Sequence, residues 1–237
     1  MLSRVKYFLE KNRFIATIAR FAYRRTILKY KHYRQNRNFL KNAKEALLQI
    51  SFVFDELKND YWLEFGTLLG AIREKGFISH DIDIDLGLWL KDYNPNHDLV
   101  FKKYGFKRVR KIEIDNRKYG LEETYIYNGI TIDLFYFRRE NDILISHNFI
   151  NENGKSWEKT IHDRGGLIVR EKYIPYSKLM KINFLDISTY IPKDYDIHLK
   201  AIYGNTYMIP NPKWNPYTME KNVKILEDKI GKVYNYN

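Results

Sequence analysis

The feature that most restricts the fold of this chain is the alternation of aspartate and isoleucine at residues 81–85, DIDID. Because strand residues two apart point to one face, the pattern predicts Asp81, Asp83 and Asp85 on a common face of a β-strand. Three carboxylates on one face repel one another, and a bound cation relieves that repulsion. Since Mg²⁺ and Mn²⁺ prefer carboxylate oxygens, the pattern indicates a metal site. The alternative is an edge strand with core isoleucines and solvated aspartates.

Two neighbouring features favour the metal site. Gly66-Thr67 begins a predicted helix that runs to Glu74, and the backbone N–H groups at a helix start suit a phosphate. Asp133 lies in the otherwise apolar strand ITIDLFYF, where an acid needs a partner. We therefore expect a phosphate-binding helix start and a fourth acid beside the aspartate strand.

The rest of the chain predicts an α+β domain with a mixed sheet. Apolar residues at helical spacing predict a helix over 36–58. Asn128-Gly129 is a two-residue hairpin signal between strands at 122–127 and 130–137. The further predicted strands lie at 61–65, 83–88 and 106–114. After residue 106 the chain is expected to be mostly β, with segments 142–149 and 156–162 on either side of a second turn. The further predicted helices lie at 96–104 and 194–203, with a final polar helix at 218–230.

Composition excludes several classes of protein. The 237 residues include 44% hydrophobic residues, which is enough for a sizeable core and excludes disordered, collagen-like and coiled-coil chains. The chain contains no Cys, which excludes a disulfide framework, a cysteine nucleophile and a Cys-ligated zinc site. Because this composition fits a reducing compartment, we expect a cytoplasmic protein.

Positive charge is concentrated at the amino-terminal end. The net charge is +12, yet residues 1–41 hold 12 Lys/Arg and one acid, whereas the remainder holds 29 basic and 28 acidic residues. We therefore divide the chain into a basic helical N-terminal arm at 1–38 and a folded domain at 39–237. Since no nucleic-acid-binding motif accompanies the charge, we do not expect nucleic acid as a partner.

The arm has the pattern of an amphipathic helix. Val5, Phe8, Ile15, Ile18 and Ala22 recur at about helical spacing with basic residues between them. The apolar stretches are too short, and too often interrupted by arginine, for a membrane span or a secretory signal. Two interpretations stay open. One is a basic helix bound peripherally to an anionic membrane, on its inner face, and the other is a helix packed on the domain with a solvated basic face.

The motifs around the aspartates resemble the signature of the LicD/fukutin family. Gly-Thr, then D-x-D on a strand, then a single Asp on a later strand is the layout of nucleotidyltransferase-fold active sites. The matching positions are Gly66, Thr67, Leu68, Leu69, Gly70, Ala71, Arg73, Ile78, Asp81, Asp83, Asp85 and Asp133, followed by Leu199, Tyr203-Gly204, Met208 and Pro210. The resemblance covers residues 40–215. Ser79-His80 and Phe65 depart from it, because the family usually has Pro-Trp or Pro-Tyr, and often Gly, at those positions.

The resemblance implies a fold, a reaction and a set of site residues. The fold is a nucleotidyltransferase-like mixed β-sheet flanked by helices. The reaction is a metal-dependent transfer of a phospho-polyol or phosphocholine-type group from a CDP-linked donor to a glycan or glycolipid hydroxyl, with release of CMP. The implied ligands of Mg²⁺ or Mn²⁺ are Asp83, Asp85 and Asp133, with Asp81 as a further catalytic acid. The implied donor-binding residues are Gly66, Thr67 and Arg73.

Several alternatives stay open at this point. A metal-dependent glycosyltransferase also uses D-x-D against a nucleotide diphosphate, although it leaves Asp133 unexplained. A membrane or polyanion binder without activity is a further alternative, which the intact aspartates disfavour. His80 is either a base or a pocket-wall residue, and the His162–Arg164 cluster is either a substrate-binding loop or a solvated turn. Heavy use of Lys, Asn, Ile and Tyr is typical of AT-rich bacterial genomes, which favours a capsule, lipopolysaccharide or teichoic-acid glycan as acceptor.

Overall fold

The structure is a computed structural model that describes residues 13–236, with described side chains from Tyr23 onward except at 24, 25 and 28. The apolar positions predicted for the arm, from Val5 to Ala22, therefore lie outside the described side chains. The helices are α1 (Arg13–Leu57), α2 (Phe65–Arg73), α3 (His97–Lys103), α4 (Trp157–Arg164), α5 (Tyr195–Tyr203) and α6 (Pro216–Met219). The strands are β1 (Tyr61–Leu63), β2 (Asp83–Trp89), β3 (Lys107–Ile114), β4 (Gly120–Tyr127), β5 (Ile130–Glu140), β6 (Ile143–Ile150), β7 (Leu167–Pro175), β8 (Leu179–Phe184), β9 (Ile187–Pro192) and β10 (Val223–Asn235).

The strands form a mixed sheet, which confirms the predicted α+β class. Its order is β1-β2-β5-β4-β3-β10-β7-β6, and a separate hairpin joins β8 to β9. Strands β2 and β5 run parallel, whereas the other neighbours in the sheet are antiparallel. The predicted Asn128-Gly129 turn joins β4 to β5, with Tyr127 paired to Ile130. This register fixes which residues of β4 face Asp133.

The long strand β5 takes part in the sheet twice. Its first half pairs with β4, and Arg138–Glu140 pair with β6, so the ladder that runs through β4, β3, β10, β7 and β6 returns to β5. A small core inside this ring is formed by Ile112, Ile114, Phe149, Leu167, Val169 and Leu226. The parallel pair β2–β5 lies at one side of the ring, so that the acids of both strands lie beside a closed, rigid support.

The carboxyl-terminal half of α1 is the main helix that packs on the sheet. Its apolar residues recur at helical spacing, and the buried ones are Phe39, Ala43, Ala46, Leu47, Ile50, Val53 and Phe54. This burial explains the predicted helix at 36–58, which the structure extends without a break to Arg13. Among the described residues, no helix has an apolar stretch long enough to cross a bilayer.

Two predicted elements at the carboxyl-terminal side were wrong. The segment 218–230 was predicted as a helix, but residues 223–235 form β10, which fills the position between β3 and β7. Its apolar residues satisfy a helical spacing, yet pairing on both edges outweighs that local preference. Gly231 is needed there, because a Cβ on it would lie 2.4 Å from Phe149. The segment 156–162 was expected to follow a turn in a part of the chain made mostly of strands, but it forms α4 with Ser156 as its N-cap.

Candidate active site

Three carboxylates meet where β2 and β5 run parallel. Asp85 lies directly opposite Asp133 in the register of the two strands, and Asp83 lies opposite Thr131. Asp83, Asp85 and Asp133 each offer one oxygen to a cluster in which the oxygens lie within 4.8 Å of one another. The structure thus brings together the three residues that the resemblance implied as metal ligands.

Burial and mutual repulsion disfavour the charged forms of these acids. Burial, together with the charges of Asp133 and Asp81, raises the pKa of Asp83 to about 7. Burial and the charge of Asp83 hold the pKa of Asp85 well above its ordinary value. Burial also raises the pKa of Asp133. Because a cation shared by the three carboxylates would offset both penalties, this all-oxygen donor set fits a hard divalent metal ion.

Asp81 lies outside this cluster of oxygens. Strand β2 begins at Asp83, and Asp81 precedes it, where its carboxylate accepts a hydrogen bond from the Ile78 N–H at 3.2 Å. The pKa of Asp81 is raised to about 6, because the effect of burial outweighs the lowering effects of the Ile78 hydrogen bond and the charge of Arg73. The Asn36 side chain of α1 donates to the Asp81 carbonyl at 2.8 Å. The strand pattern predicted from the sequence therefore holds for two of the three aspartates, and Asp81 belongs to the adjoining turn.

The start of α2 fixes the position of Asp85. The Gly66 N–H donates to Oδ2 of Asp85 at 3.0 Å, and Oγ1 of Thr67 accepts a hydrogen bond from the Asp85 N–H at 2.9 Å. A Cβ on Gly66 would lie 3.2 Å from Oδ2 of Asp85, so glycine permits the close approach. Thr67 is fully buried, and its hydroxyl holds the backbone of β2 in place at Asp85. The phosphate-binding role of Gly66 and Thr67 stays a prediction.

A buried polar cluster that sequence reasoning missed holds α2 in place. Glu64 is its N-cap and is fully buried, and its carboxylate accepts hydrogen bonds from the Trp62 indole at 2.6 Å and the Phe65 N–H at 3.2 Å. Nε2 of His198, on α5, lies 2.7 Å from the same carboxylate. The backbone of Phe65 has φ +40°, a left-handed conformation that costs free energy in a non-glycine residue. Glu64 and His198 thus stabilise the strained turn from which Gly66 reaches Asp85.

Two further residues missed from the sequence contact Asp133. The Thr124 hydroxyl, on β4, donates to Oδ1 of Asp133 at 2.6 Å. The Arg110 guanidinium, on β3, donates to Thr124 at 2.9 Å and lies 3.7 Å from the same Asp133 oxygen. The Asn128-Gly129 hairpin carries a signal for Thr124, because a two-residue turn places residue 124 opposite residue 133. Nothing in the local sequence pattern identifies Arg110, which reaches the site across two strand pairings.

A cavity of about 620 Å³ adjoins the carboxylates on the side of Asp81. Its walls include Gly66, Arg73 and Asp81 from the predicted site, together with the aromatic pair Tyr203 and Trp214, whose ring centroids lie 4.7 Å apart. Arg73 donates to the Tyr207 carbonyl at 3.1 Å and is largely buried, so it is not an exposed surface residue. The cavity thus combines two aromatic rings, tilted 50° to each other, with a cation beside the acids.

The structure also places the histidines that the sequence left open. His80 is exposed at the rim of this cavity, within reach of a ligand but apart from the three clustered oxygens. His162 and Asp163 lie at the end of α4, where Asp163 is bound by Lys155 and Lys159. The side chain of His162 is 82% exposed. The His162–Arg164 cluster therefore lies at the exposed end of a helix. The expected solvation of His162 is confirmed, whereas the expected turn is a helix end.

Comparison with known proteins agrees with this geometry. Residues 58–194, more than half of the chain and including all four aspartates, match the family model described as LicD/FKTN/FKRP, nucleotidyltransferase domain. The chain belongs to the LicD/FKTN/FKRP family. This confirms the resemblance identified from the residues around Asp83. The arm and β10 lie outside the part that matches the LicD/FKTN/FKRP model.

Individual relatives in this family carry enzyme names. The chain is 29% identical to the ribitol-5-phosphate transferase FKTN of Mus musculus over 190 residues, which are 78% of this chain and 37% of that protein. It is 28% identical to the ribitol 5-phosphate transferase FKRP of Homo sapiens over 119 residues, which are 47% of this chain and 23% of that protein. The chain thus spans well under half the length of these LicD/FKTN/FKRP relatives.

Proposed function

We propose that this protein is a metal-dependent phosphotransferase that moves a phospho-polyol or phosphocholine-type group from a CDP-linked donor to a hydroxyl of a glycan or glycolipid. The observation that carries the proposal is the meeting of Asp83, Asp85 and Asp133 oxygens within 4.8 Å. The names of the FKTN and FKRP relatives favour ribitol 5-phosphate as the group transferred. Phosphoryl transfer depends mainly on positioning and charge stabilisation, which such a carboxylate cluster supports.

Asp83, Asp85 and Asp133 would hold Mg²⁺ or Mn²⁺. When bound, such an ion neutralises charge that develops on the transferring phosphoryl group. The protein's own contribution is to keep the carboxylates in place. Gly66 and Thr67 fix Asp85 through two hydrogen bonds, and Thr124 fixes Asp133 through one. The carboxylates are therefore held in position before substrate binds, which is what electrostatic catalysis requires.

The cavity beside Asp81 would receive the nucleotide part of the donor. Its aromatic wall of Tyr203 and Trp214 suits a flat base, and Arg73 supplies a cation toward the diphosphate. Gly66 lies between this cavity and Asp85, so its position suits the junction of base pocket and phosphate site. The donor would thus lie with its diphosphate at the three carboxylates.

The proposed reaction breaks one bond and forms one bond at phosphorus. The oxygen of the acceptor hydroxyl attacks the phosphorus that carries the polyol, and the bond from that phosphorus to CMP breaks. Asp133 orients the hydroxyl and accepts its proton, while CMP leaves with the bonding electron pair. Arg110 is paired with Glu122 at 3.1 Å and lies 3.7 Å from Asp133, so its guanidinium is close to the point where phosphate charge develops.

A donor screen tests this function. The full chain would be incubated with Mg²⁺, a surface-glycan acceptor and CDP-ribitol, CDP-glycerol or CDP-choline, with UDP- and GDP-linked sugars as comparisons. We expect mass spectrometry to detect CMP and an acceptor heavier by one phosphorylated group. Transfer of an unphosphorylated sugar with release of UDP or GDP would instead establish the glycosyltransferase alternative.

A further inference from the structure

A second cavity lies toward the other end of the strands that carry the carboxylates. Its volume is about 510 Å³, and Trp89 of β2 and Phe137 of β5 form part of its wall. Trp89 follows Asp85 by four residues, and Phe137 follows Asp133 by four. Since a strand rises about 3.3 Å per residue and alternate residues share a face, this wall lies about 13 Å from the acids on the same face. The buried Trp62 ring covers the strand face between the two places, so an extended substrate that contacts both would pass around this ring.

The walls of this second cavity combine flat rings with basic side chains. The ring centroids of Trp89 and Tyr176 lie 6.4 Å apart, and the guanidinium carbon of Arg139 lies 3.6 Å from the Tyr176 ring centroid. Lys91 and Lys178 line the same space. Aromatic rings with a few convergent polar groups are typical of sites for small organic ligands, whose volumes are roughly 300–1,000 Å³.

The positive charge in this cavity is largely unneutralised. Within the described part of the chain, Lys91 and Lys178 have no acidic partner, and the acid beside Arg139 is Asp142, at 3.8 Å with its side chain 96% exposed. Asp60 is the acid among the lining residues. Arg138 also lines the cavity, but it is paired with the buried Glu171 at 2.8 Å. The other three basic side chains therefore face one lining acid, which favours an anion, and an Arg close to an aromatic ring can still bind an anionic oxygen.

We infer that this cavity binds an anionic sugar unit of the acceptor glycan, an inference that rests on the proposed function. The basic side chains would bind its phosphate or carboxylate, while Trp89 and Tyr176 would pack against the sugar ring. The donor nucleotide has its own cavity beside Gly66, so the second cavity is left for the acceptor. When a charged sugar unit of the glycan is bound here, a hydroxyl of the same glycan, a few sugar residues further along, would lie at Asp133.

The test measures binding of a defined probe rather than turnover. Isothermal titration of the full chain with glucose 6-phosphate would be compared with glucose and with inorganic phosphate. The variant R139Q/K178Q removes two positive charges from the cavity. Its matched control, K224Q/K232Q, removes two exposed lysine charges from β10. Melting curves of both variants verify that they are folded.

We expect glucose 6-phosphate to bind the wild type more tightly than either glucose or inorganic phosphate. R139Q/K178Q should weaken that binding about tenfold or more, with K224Q/K232Q within about twofold of wild type. No binding by the wild type at millimolar probe, equal binding by R139Q/K178Q, or equal affinity for inorganic phosphate would each overturn the inference. Asp83→Asn should keep the probe affinity, so failure of this site is distinguishable from failure of the proposed transfer reaction.

Discussion

Asp85 and Asp133 are direct neighbours across two parallel strands, although 48 positions separate them in the chain. Their carboxylates come from different strands, and each is held by a different partner, Gly66 for Asp85 and Thr124 for Asp133. A cluster built in this way depends on the register between β2 and β5. A shift of one residue would turn one aspartate to the opposite face of the sheet.

The first prediction concerns the rate of transfer when one of the clustered aspartates is replaced. Asp83→Asn and Asp133→Asn should each lower the rate of transfer by about 100-fold or more, because each removes a charged oxygen on which phosphoryl-group stabilisation depends. Asp55→Asn, at an exposed position on α1, is the matched control and should retain wild-type turnover. CMP release from a CDP-linked donor is the readout. Full turnover by Asp133→Asn with loss in Asp83→Asn would favour the two-carboxylate glycosyltransferase.

The second prediction concerns pH and metal. Burial and like charges raise the pKa of Asp83 from 3.8 to about 7 in the folded, metal-free protein. Between those values the folded state binds more protons than the unfolded state, so the acid's contribution to the free energy of unfolding falls as pH rises through this window. In metal-free buffer, Asp83→Asn should therefore melt at a higher temperature than wild type at pH 7.5, with a smaller difference at pH 5.

Added Mg²⁺ gives the corresponding control for the second prediction. Binding to the folded state should raise the melting temperature of wild type at pH 7.5, and it should raise that of Asp83→Asn much less. Equal increases of the melting temperature in both proteins would contradict the assignment of Asp83 as a metal ligand. A wild type that is more stable than Asp83→Asn in metal-free buffer at pH 7.5 would contradict the raised pKa of Asp83.

The local motifs around the site were predictable because they are encoded by short-range patterns. The Asp-Ile alternation predicted β2, the Gly66-Thr67 start predicted α2, and the Asn128-Gly129 turn predicted the β4–β5 hairpin. Each of these signals lies within a few residues, so it does not depend on the rest of the fold. The family resemblance then predicted that Asp133 would join Asp83 and Asp85.

The missed features depend on contacts between distant parts of the chain. The Glu64–His198 pair joins residues 134 positions apart, and Arg110 reaches Asp133 only because β3, β4 and β5 are adjacent. The segment 218–230 was predicted as a final polar helix, and its apolar residues do recur at helical spacing. Its strand conformation follows from two partners, β3 and β7, that the local sequence does not reveal.

The third prediction concerns the buried Glu64–His198 pair. His198→Ala should lower the free energy of unfolding by about 1–3 kcal/mol, because a buried carboxylate loses a hydrogen-bonding partner. The same change should lower kcat more than it raises KM for the donor, since Phe65 and Gly66 lose support beneath Asp85. His162→Ala is the matched control, because its side chain is exposed, and it should leave stability and turnover unchanged. Wild-type kcat in a folded His198→Ala protein would show that the pair does not position Gly66.

The fourth prediction concerns the basic arm. Tyr23, Ile27, Tyr30 and Tyr33 are exposed along α1 and lie among basic residues, a composition that suits an anionic membrane surface. Deletion of residues 1–34 should release the protein from vesicles that contain anionic lipid while turnover on a water-soluble acceptor persists. Vesicles of neutral lipid serve as the control, and binding should fall with salt as the Debye length shrinks. Loss of the melting transition with unchanged vesicle binding would show that the arm is structural.

Binding of Mn²⁺ followed by electron paramagnetic resonance tests most directly whether Asp83, Asp85 and Asp133 form one metal site. The measurement needs neither the donor nor the acceptor, so it does not depend on the identity of the transferred group. We predict that wild type binds the ion at pH 7.5, that Mg²⁺ displaces it, and that Asp83→Asn and Asp133→Asn each weaken binding at least about tenfold, with Asp55→Asn unchanged. Absence of bound Mn²⁺ in wild type, or undiminished binding by Asp133→Asn, would contradict a single three-carboxylate site.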